Sequence, residues 1–242
     1  MSYHTGSVAA VPTANREAYR AHAARAWPHF QRRGALRMVE TWGEDVPDGT
    51  RTDFRRAVQA TPDETVVFSW IEWPDRATCD AAWGDMMADE SMGAEMGEMP
   101  FDGHRMFWGG FSTVLDEGET RPGAWVQGFV LAVPEANRDA FAALARASWE
   151  GFRARGALRQ AELWGEDVPH GKTTDFYRAT QAEAGEVPVF AWIEWPDRAT
   201  CDAAARAMQA DAGGQPMPEM PFDGKRMFWG GFAPLFDSRE GR

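Results

Sequence analysis

The sequence predicts an α+β protein made of two ferredoxin-like βαββαβ units packed sheet to sheet within one chain. Three observations lead there: an internal repeat, an order of apolar segments common to both copies, and an aromatic sheet face that neither copy covers by itself. Shifting the chain by 122 positions brings Val11-Pro12 onto Val133-Pro134, Gly34-Ala35-Leu36-Arg37 onto Gly156-Ala157-Leu158-Arg159, and the stretch Trp42 to Pro47 onto Trp164 to Pro169. Thirty of the fifty residues from 11 to 60 match, and the thirteen residues Trp70 to Ala82 recur unchanged as Trp192 to Ala204. With one residue less in the shift, Pro100 to Gly103 returns as Pro221 to Gly224 and Arg105 to Phe111 returns unchanged as Arg226 to Phe232. Self-similarity at a fixed period marks a repeated structural unit. The expected division is a first unit over 1–117, a linker over 118–123 and a second unit over 124–242. The joint is the charged stretch Asp116 to Gly123, which contains Pro and Gly.

Each element follows in order. The apolar run Gly128 to Val133, ended by Pro134, suits a first strand, and Gly6 to Val11 is its weaker twin. Asn15 and Asn137 are placed to cap the helices that follow. In the first helix Tyr19, Ala23, Ala26, Trp27 and Phe30 recur at helical spacing, matched by Phe141, Ala145, Ser148, Trp149 and Phe152, so one stripe faces a core. Gly34 and Gly156 stand where a helix C-cap belongs. Strands are expected over Leu36 to Trp42 and Val66 to Trp73, then a helix from Asp75 to about Ala88, then a strand from Arg105 to about Leu115. This order puts both helices on one face of an antiparallel sheet. The other face, rich in Trp and Phe, would lie exposed unless it packed on its equivalent in the second unit, so an intramolecular pseudo-dimer is expected. Ten of the twelve Trp fall into five equivalent pairs: Trp27/Trp149, Trp42/Trp164, Trp70/Trp192, Trp73/Trp195 and Trp108/Trp229.

Composition narrows the function classes. The 242 residues include 25 Lys and Arg against 37 Asp and Glu, a formal charge of −12, with no basic block. Nucleic acid and anionic membrane are therefore not expected partners, because phosphate binding needs clustered positive charge. Two Cys cannot build a disulfide framework, and Met1 to Thr13 lacks the basic start and apolar core of a secretory signal, so a cytoplasmic location is expected. No apolar run approaches the roughly 20 residues of a membrane-spanning helix.

The strings VPTANREAYR, GALRMVETWGEDVPDG, VVFSWIEWPDRATCDAA and MPFDGHRMFWGGF resemble the YbaA-like proteins, the domain of unknown function 1428 family. The resemblance covers nearly all of each half, as two fused copies. It implies a dimeric α+β barrel in which two ferredoxin-like sheets pack face to face. Relatives with that architecture include cofactor-free monooxygenases, isomerases and haem enzymes, besides proteins of no known activity. The resemblance supplies no catalytic residues, so function rests on the site itself.

Strand alternation assigns faces. Val8, Ala10, Val130 and Ala132 are expected inside the barrel, with Phe129, Leu131 and Val133 against the helices. Phe68, Trp70 and Glu72 point inward, while Val67, Ile71 and Trp73 face the helices. On the second strand Leu36, Met38, Glu40 and Trp42 are placed inward, although both faces are partly apolar. On the last strand the inward set is Arg105, Phe107 and Gly109. The candidate chemistry is thus Glu40, Glu72 and Arg105 with their counterparts Glu162, Glu194 and Arg226. The candidate ligand wall is Trp42, Phe68, Trp70 and Phe107 with Trp164, Phe190, Trp192 and Phe228. Arg105 is expected to reach toward Glu72 across roughly 9–10 Å, two strand spacings. A carboxylate left unpaired inside costs several kcal/mol, so each Glu should meet an Arg, a proton or water. Glu40 close to Glu72 would raise one of the two pKa values and make a general base.

Other residue types carry less. No His position is shared between the halves, which argues against a symmetric His-ligated metal, and neither metal nor cofactor is expected. Glu44-Asp45 and Glu166-Asp167 read as solvated turns, and Cys79 and Cys201 as small buried side chains. Three functions stay open: a cofactor-free enzyme using interior Glu for proton transfer on an apolar or aromatic substrate, a non-catalytic protein that binds or sequesters such a molecule, and an interaction module whose barrel is filled by its own side chains. Further homo-oligomerisation is open as well.

Overall fold

In the computed structural model residues 2–213 and 220–240 are described. The first unit contains strand β1 (Tyr3–Pro12), helix α1 (Arg16–Gln31), β2 (Arg37–Asp45), the short α2 (Phe54–Ala57), β3 (Glu64–Trp73), α3 (Arg76–Ala88), α4 (Met92–Met96) and β4 (Phe107–Gly118). The second contains β5 (Trp125–Pro134), α5 (Arg138–Ala154), β6 (Arg159–Asp167), α6 (Phe176–Thr180), β7 (Glu186–Trp195), α7 (Arg198–Ala212) and β8 (Phe228–Asp237). Among the described residues no helix is long and apolar enough to cross a membrane.

Local chemistry sets the ends of these elements. Asp75 and Asp197, in extended backbone, accept hydrogen bonds from the backbone N–H of Thr78 and Thr200 and so start α3 and α7. Gly34 and Gly156 follow α1 and α5 at φ +98° and +96°, where a side chain would be strained. Asn15 and Asn137 precede their helices but do not cap them. A 3-10 turn leads into each helix, and each Asn amide instead donates to the carbonyl of Pro100 or Pro221 at 2.8 Å, tying down the loop ahead of the last strand.

Within each unit the strand order is the ferredoxin-like one, β4-β1-β3-β2 and β8-β5-β7-β6. The two sheets do more than face each other. β2 pairs with β8 and β4 with β6, all antiparallel, closing one eight-stranded barrel. Closure leaves none of these strands with an unpaired edge. It also explains why Asp116 to Gly118, expected as linker, belong to β4: they pair with Ala161 to Arg159 of β6. The strand runs on for as long as its partner does.

Six strands present the expected faces. Val8, Ala10, Phe68, Trp70, Phe107, Val130, Phe190, Trp192 and Phe228 join one buried cluster inside the barrel. The second strand of each unit is reversed relative to expectation. Val39, Ala161 and Leu163 lie inside, whereas Met38, Trp42 and Trp164 lie under the helices and Leu36 is exposed. On these two strands the bulkier set of alternating side chains went to the helix side.

The barrel axis is filled in layers. Phe54 of α2 packs on Phe228 at 4.8 Å and Phe176 of α6 on Phe107 at 4.7 Å, so each short helix plugs against the other unit's last strand. Next comes the Phe68–Phe190 stack at 4.2 Å, then Trp70–Trp192 at 4.3 Å. Gly6 and Gly128 make room for the Phe layer, since a Cβ at Gly6 would lie 2.9 Å from the Phe190 ring and one at Gly128 3.0 Å from the Phe68 ring. Gly6→Ala is therefore expected to destabilise the fold by about 1–3 kcal/mol through overpacking. Gly84→Ala, in α3 with nothing within 4 Å of the added carbon, should instead stabilise it by up to about 1 kcal/mol. Urea denaturation of both variants checks the contrast, and equal midpoints would show that the Phe layer yields freely.

Candidate functional site

Beyond the Trp layer the barrel ends in a buried ion cluster with near twofold symmetry. Arg37 donates to Asp237 at 2.8 Å, to Glu194 at 3.0 Å and to Glu72 at 3.4 Å. Arg159 mirrors it, meeting Asp116 and Glu72 each at 2.7 Å and Glu194 at 3.4 Å. Each Glu also accepts an indole N–H, Glu72 from Trp70 at 3.4 Å and Glu194 from Trp192 at 3.3 Å. Thr120, in the connection between the units, donates to Glu194. Burial alone would push the Glu72 carboxyl up, but the guanidiniums of Arg159 and Arg37 outweigh it and hold the pKa down at about 2. A carboxylate so firmly ionised and doubly paired is a poor proton acceptor. Glu72 and Glu194 therefore point inward as expected, yet their environment is that of a structural cluster.

The expected cation is the wrong one. Arg105 sits in a 3-10 turn ahead of β4 and bonds Glu64 at 2.7 Å and Asp102 at 2.9 Å. Arg226 bonds Glu186 at 2.6 Å and Asp223 at 3.2 Å. Both precede the first paired residue of their strand, so the alternation that placed them inside does not reach them. Arg37 and Arg159 occupy the positions directly opposite Glu72 and Glu194 in the β2–β3 and β6–β7 ladders. Their signal was present in the repeated Gly-Ala-Leu-Arg string and was hidden by the reversed face of the second strand.

Nor do the aromatic candidates form a ligand wall. Phe68 and Trp70 are inside but stack on their counterparts Phe190 and Trp192, while Phe107 and Phe228 pack on Phe176 and Phe54. Trp42 and Trp164 lie on the helix side, with Arg16 at 5.8 Å and Arg138 at 5.3 Å over their rings.

Glu40 and Glu162 also lie on the helix side, one per unit, and their surroundings differ. Glu40 is buried and accepts hydrogen bonds from the Tyr19 hydroxyl at 2.7 Å and from Ser69. In the second unit the equivalent residues are Phe141 and Ala191, which carry no hydroxyl. Glu162 there lines a cavity of about 230 Å³ between α5 and the sheet, walled mainly by Phe129, Phe141, Leu144, Phe152 and Phe222. Its one side-chain partner among the described residues is Gln160, whose amide N–H donates at 2.8 Å. Burial raises the Glu162 pKa from 4.5 to about 7, offset only in part by that bond. Glu40 is likewise raised by burial, with the Ser69 and Tyr19 hydroxyls pulling the other way.

A wider depression of about 330 Å³ lies between α2 and α6 at the opposite end, lined by Arg51, Arg56 and Arg178 among others. Two of these cations are committed to their own loops: Arg56 to the Gly49 carbonyl at 2.7 Å and Asp53 at 3.3 Å, Arg178 to Asp175 at 2.6 Å and the Gly171 carbonyl. Among the described residues no group of three or more His, Cys, Asp or Glu converges as a metal site.

The protein family described as a protein of unknown function, DUF1428, matches the chain twice, over residues 2–103 and 124–224. The chain belongs to this family. Uncharacterized protein YbaA of Escherichia coli strain K12 is 55% identical over 118 residues, covering 48% of this chain and 100% of YbaA. YbaA is thus the length of one unit, and this chain is a tandem of two DUF1428 units. A candidate monooxygenase from Fusobacterium nucleatum subsp. nucleatum superposes with a TM-score of 0.55 at 10% identity, covering 98% of this chain and 93% of its own. An anthrone oxidase-like protein gives a TM-score of 0.55 at 10% identity over 100% of this chain and 94% of its own. At such identity the likeness is one of fold, an α+β barrel shared with this DUF1428 tandem.

Proposed function

We propose that the DUF1428 tandem binds a small, mostly apolar molecule in the cavity beneath α5, and that Glu162 exchanges a proton with it. The observation that carries this reading is a carboxyl group facing an apolar cavity without a charged partner. Glu162 is the one ionisable side chain among the described residues of the wall. A volume of about 230 Å³ exceeds the roughly 150 Å³ cavity that accommodates benzene in an engineered protein core, so a ring compound fits. With a pKa near 7 the group is present as both acid and base at neutral pH, which is what proton transfer needs. No cofactor enters this reading. The barrel interior itself is filled by its own side chains, as the interaction-module alternative required, so the binding reading rests on the cavity on the helix side of the sheet.

The non-catalytic alternative uses the same cavity, and mass spectrometry of a bound molecule before and after incubation separates the two. The acid excess disfavours nucleic acid or anionic membrane as partners, and two free, buried cysteines fit a reducing cytoplasm.

The titration of Glu162 is the first test. Its carboxyl carbon, followed by NMR, should titrate near pH 7 and vanish from that range in Glu162→Gln. A midpoint near 4.5 would remove the proton-transfer role. The same shift has a stability sign. Because folding raises this pKa from 4.5 to about 7, the protonated form is favoured in the folded state, and its contribution is lost as pH rises through that window. Wild type should therefore lose stability relative to Glu162→Gln between about pH 4.5 and 7.

A further inference from the structure

The two units treat the same glutamate in opposite ways, and the difference specifies a ligand. In the first unit two hydroxyls of the chain itself, from Tyr19 on α1 and Ser69 on β3, converge on the Oε2 atom of Glu40. In the second unit Phe141 and Ala191 stand at those positions, so neither donor exists, while the carboxylate is kept. The remaining polar atoms near Glu162 do not replace them. The Gln160 amide NH2 donates to Glu162 Oε1 at 2.8 Å and to the Ser148 hydroxyl at 3.1 Å, and Ser148 donates its own proton to the Ala145 carbonyl at 2.8 Å, so Glu162 receives a single side-chain donor. The Gln160 amide oxygen is buried and has no hydrogen-bond partner. One wall of an apolar cavity thus holds a carboxylate without the two hydroxyls that its counterpart receives, beside a Gln160 whose amide oxygen is buried and unpaired. A buried acceptor left without a donor costs about 1–3 kcal/mol. The exposure of the two glutamates agrees, since Glu40 is buried and Glu162 half-buried where it lines the cavity.

We infer that only the second unit takes a ligand, one molecule per chain, and that this ligand carries an O–H or N–H donor which Glu162 receives in place of the hydroxyls that Tyr19 and Ser69 present to Glu40. The inference rests on the binding reading above and adds the class of ligand, the stoichiometry and the two residues that decide between an open and a closed unit. Phe141 and Ala191 keep the cavity open. Tyr19 and Ser69 close its counterpart from within.

Calorimetric titration of the full chain with three probes tests it: 2-naphthol, which has the donor, and 2-methoxynaphthalene and naphthalene, which lack it. The expected result is one 2-naphthol per chain, with both other probes weaker by at least about tenfold, as befits one buried hydrogen bond to a charged group. The exchange Phe141→Tyr with Ala191→Ser, which installs the first unit's residues, should weaken 2-naphthol by a similar factor or more while leaving the thermal midpoint unchanged or raised. A lowered midpoint would mean that the exchange had not rebuilt the closed arrangement, which overturns the assignment of those two residues. Two molecules bound per chain, or equal affinity for 2-naphthol and its methyl ether, overturns the inference and leaves the cavity reading standing. No binding by any of the three probes overturns both.

Discussion

Arg37→Met is expected to lower the stability of the fold by about 3–5 kcal/mol, the usual loss when one member of a buried ion network is removed. Arg37 is only 2% exposed, and without it Glu72 and Glu194 would share a single remaining buried guanidinium, that of Arg159, while Asp237 would lose its bidentate partner. Those carboxylates must then take up protons, admit water or push the barrel end apart. Arg159→Met should cost a similar amount. The double variant should cost less than the sum, because both guanidiniums serve the same Glu72 and Glu194 and the second loss falls on a cluster already relaxed. Urea denaturation of the three variants measures this, and strict additivity would show that the two halves of the cluster act independently. The pH dependence carries the opposite sign to that of Glu162. The Glu72 pKa is depressed from 4.5 to about 2, so its stabilising contribution is complete above 4.5 and is lost as pH falls toward 2. In Arg37→Met that acid limb should move to higher pH.

Phe68→Ala is expected to cost about 3–5 kcal/mol through lost burial and the cavity left behind. Phe68 is fully buried and stacks on Phe190 at 4.2 Å, with Phe232 at 5.3 Å and Phe54 at 5.8 Å, so the space it leaves is lined by rings from both units and from α2. Surroundings held on four strands and a helix collapse poorly. A dry, ring-lined hole of this kind binds small aromatics, so benzene should raise the thermal midpoint of Phe68→Ala by more than it raises that of wild type, whose barrel layer has no such hole. A loss below about 1.5 kcal/mol would mean that the neighbouring rings close the gap, as volume-conserving exchanges do.

Much of this architecture is legible in the residues. The duplication, the order of elements and the inward faces of β3, β5 and β7 follow from periodicity, and the repeat carries the assignment of β5 onto β1. β2 and β6 resisted for a physical reason. Met38, Glu40 and Trp42 alternate with Arg37, Val39 and Thr41, and a charge on each face removes the usual cue. Size then outranks charge: Met38 and Trp42 pack beneath α1, and Arg37 follows its strand into the barrel. The closure of β2 on β8 and β4 on β6 leaves no local trace, since the register of strands so distant in the chain depends on shape rather than on spacing. The Glu162 cavity was within reach of a different comparison. Setting the halves side by side shows a conserved glutamate whose neighbours lose two hydroxyls, Tyr19 to Phe141 and Ser69 to Ala191, and that mismatch is invisible when the repeats are read only for what they have in common.

The covalent joint between the two units has a consequence of its own. When a barrel is assembled from two identical chains, every substitution is made twice, and a change that empties one pocket empties both. Here the two halves are written separately, so one can retain the hydroxyls that quiet its carboxylate while the other gives them up. Both halves bury the acid, but only the first surrounds it with two hydroxyls of its own chain. On the binding reading proposed above, fusion turns a symmetric frame into a pair with divided labour, one half closed on its own hydroxyls and one half open.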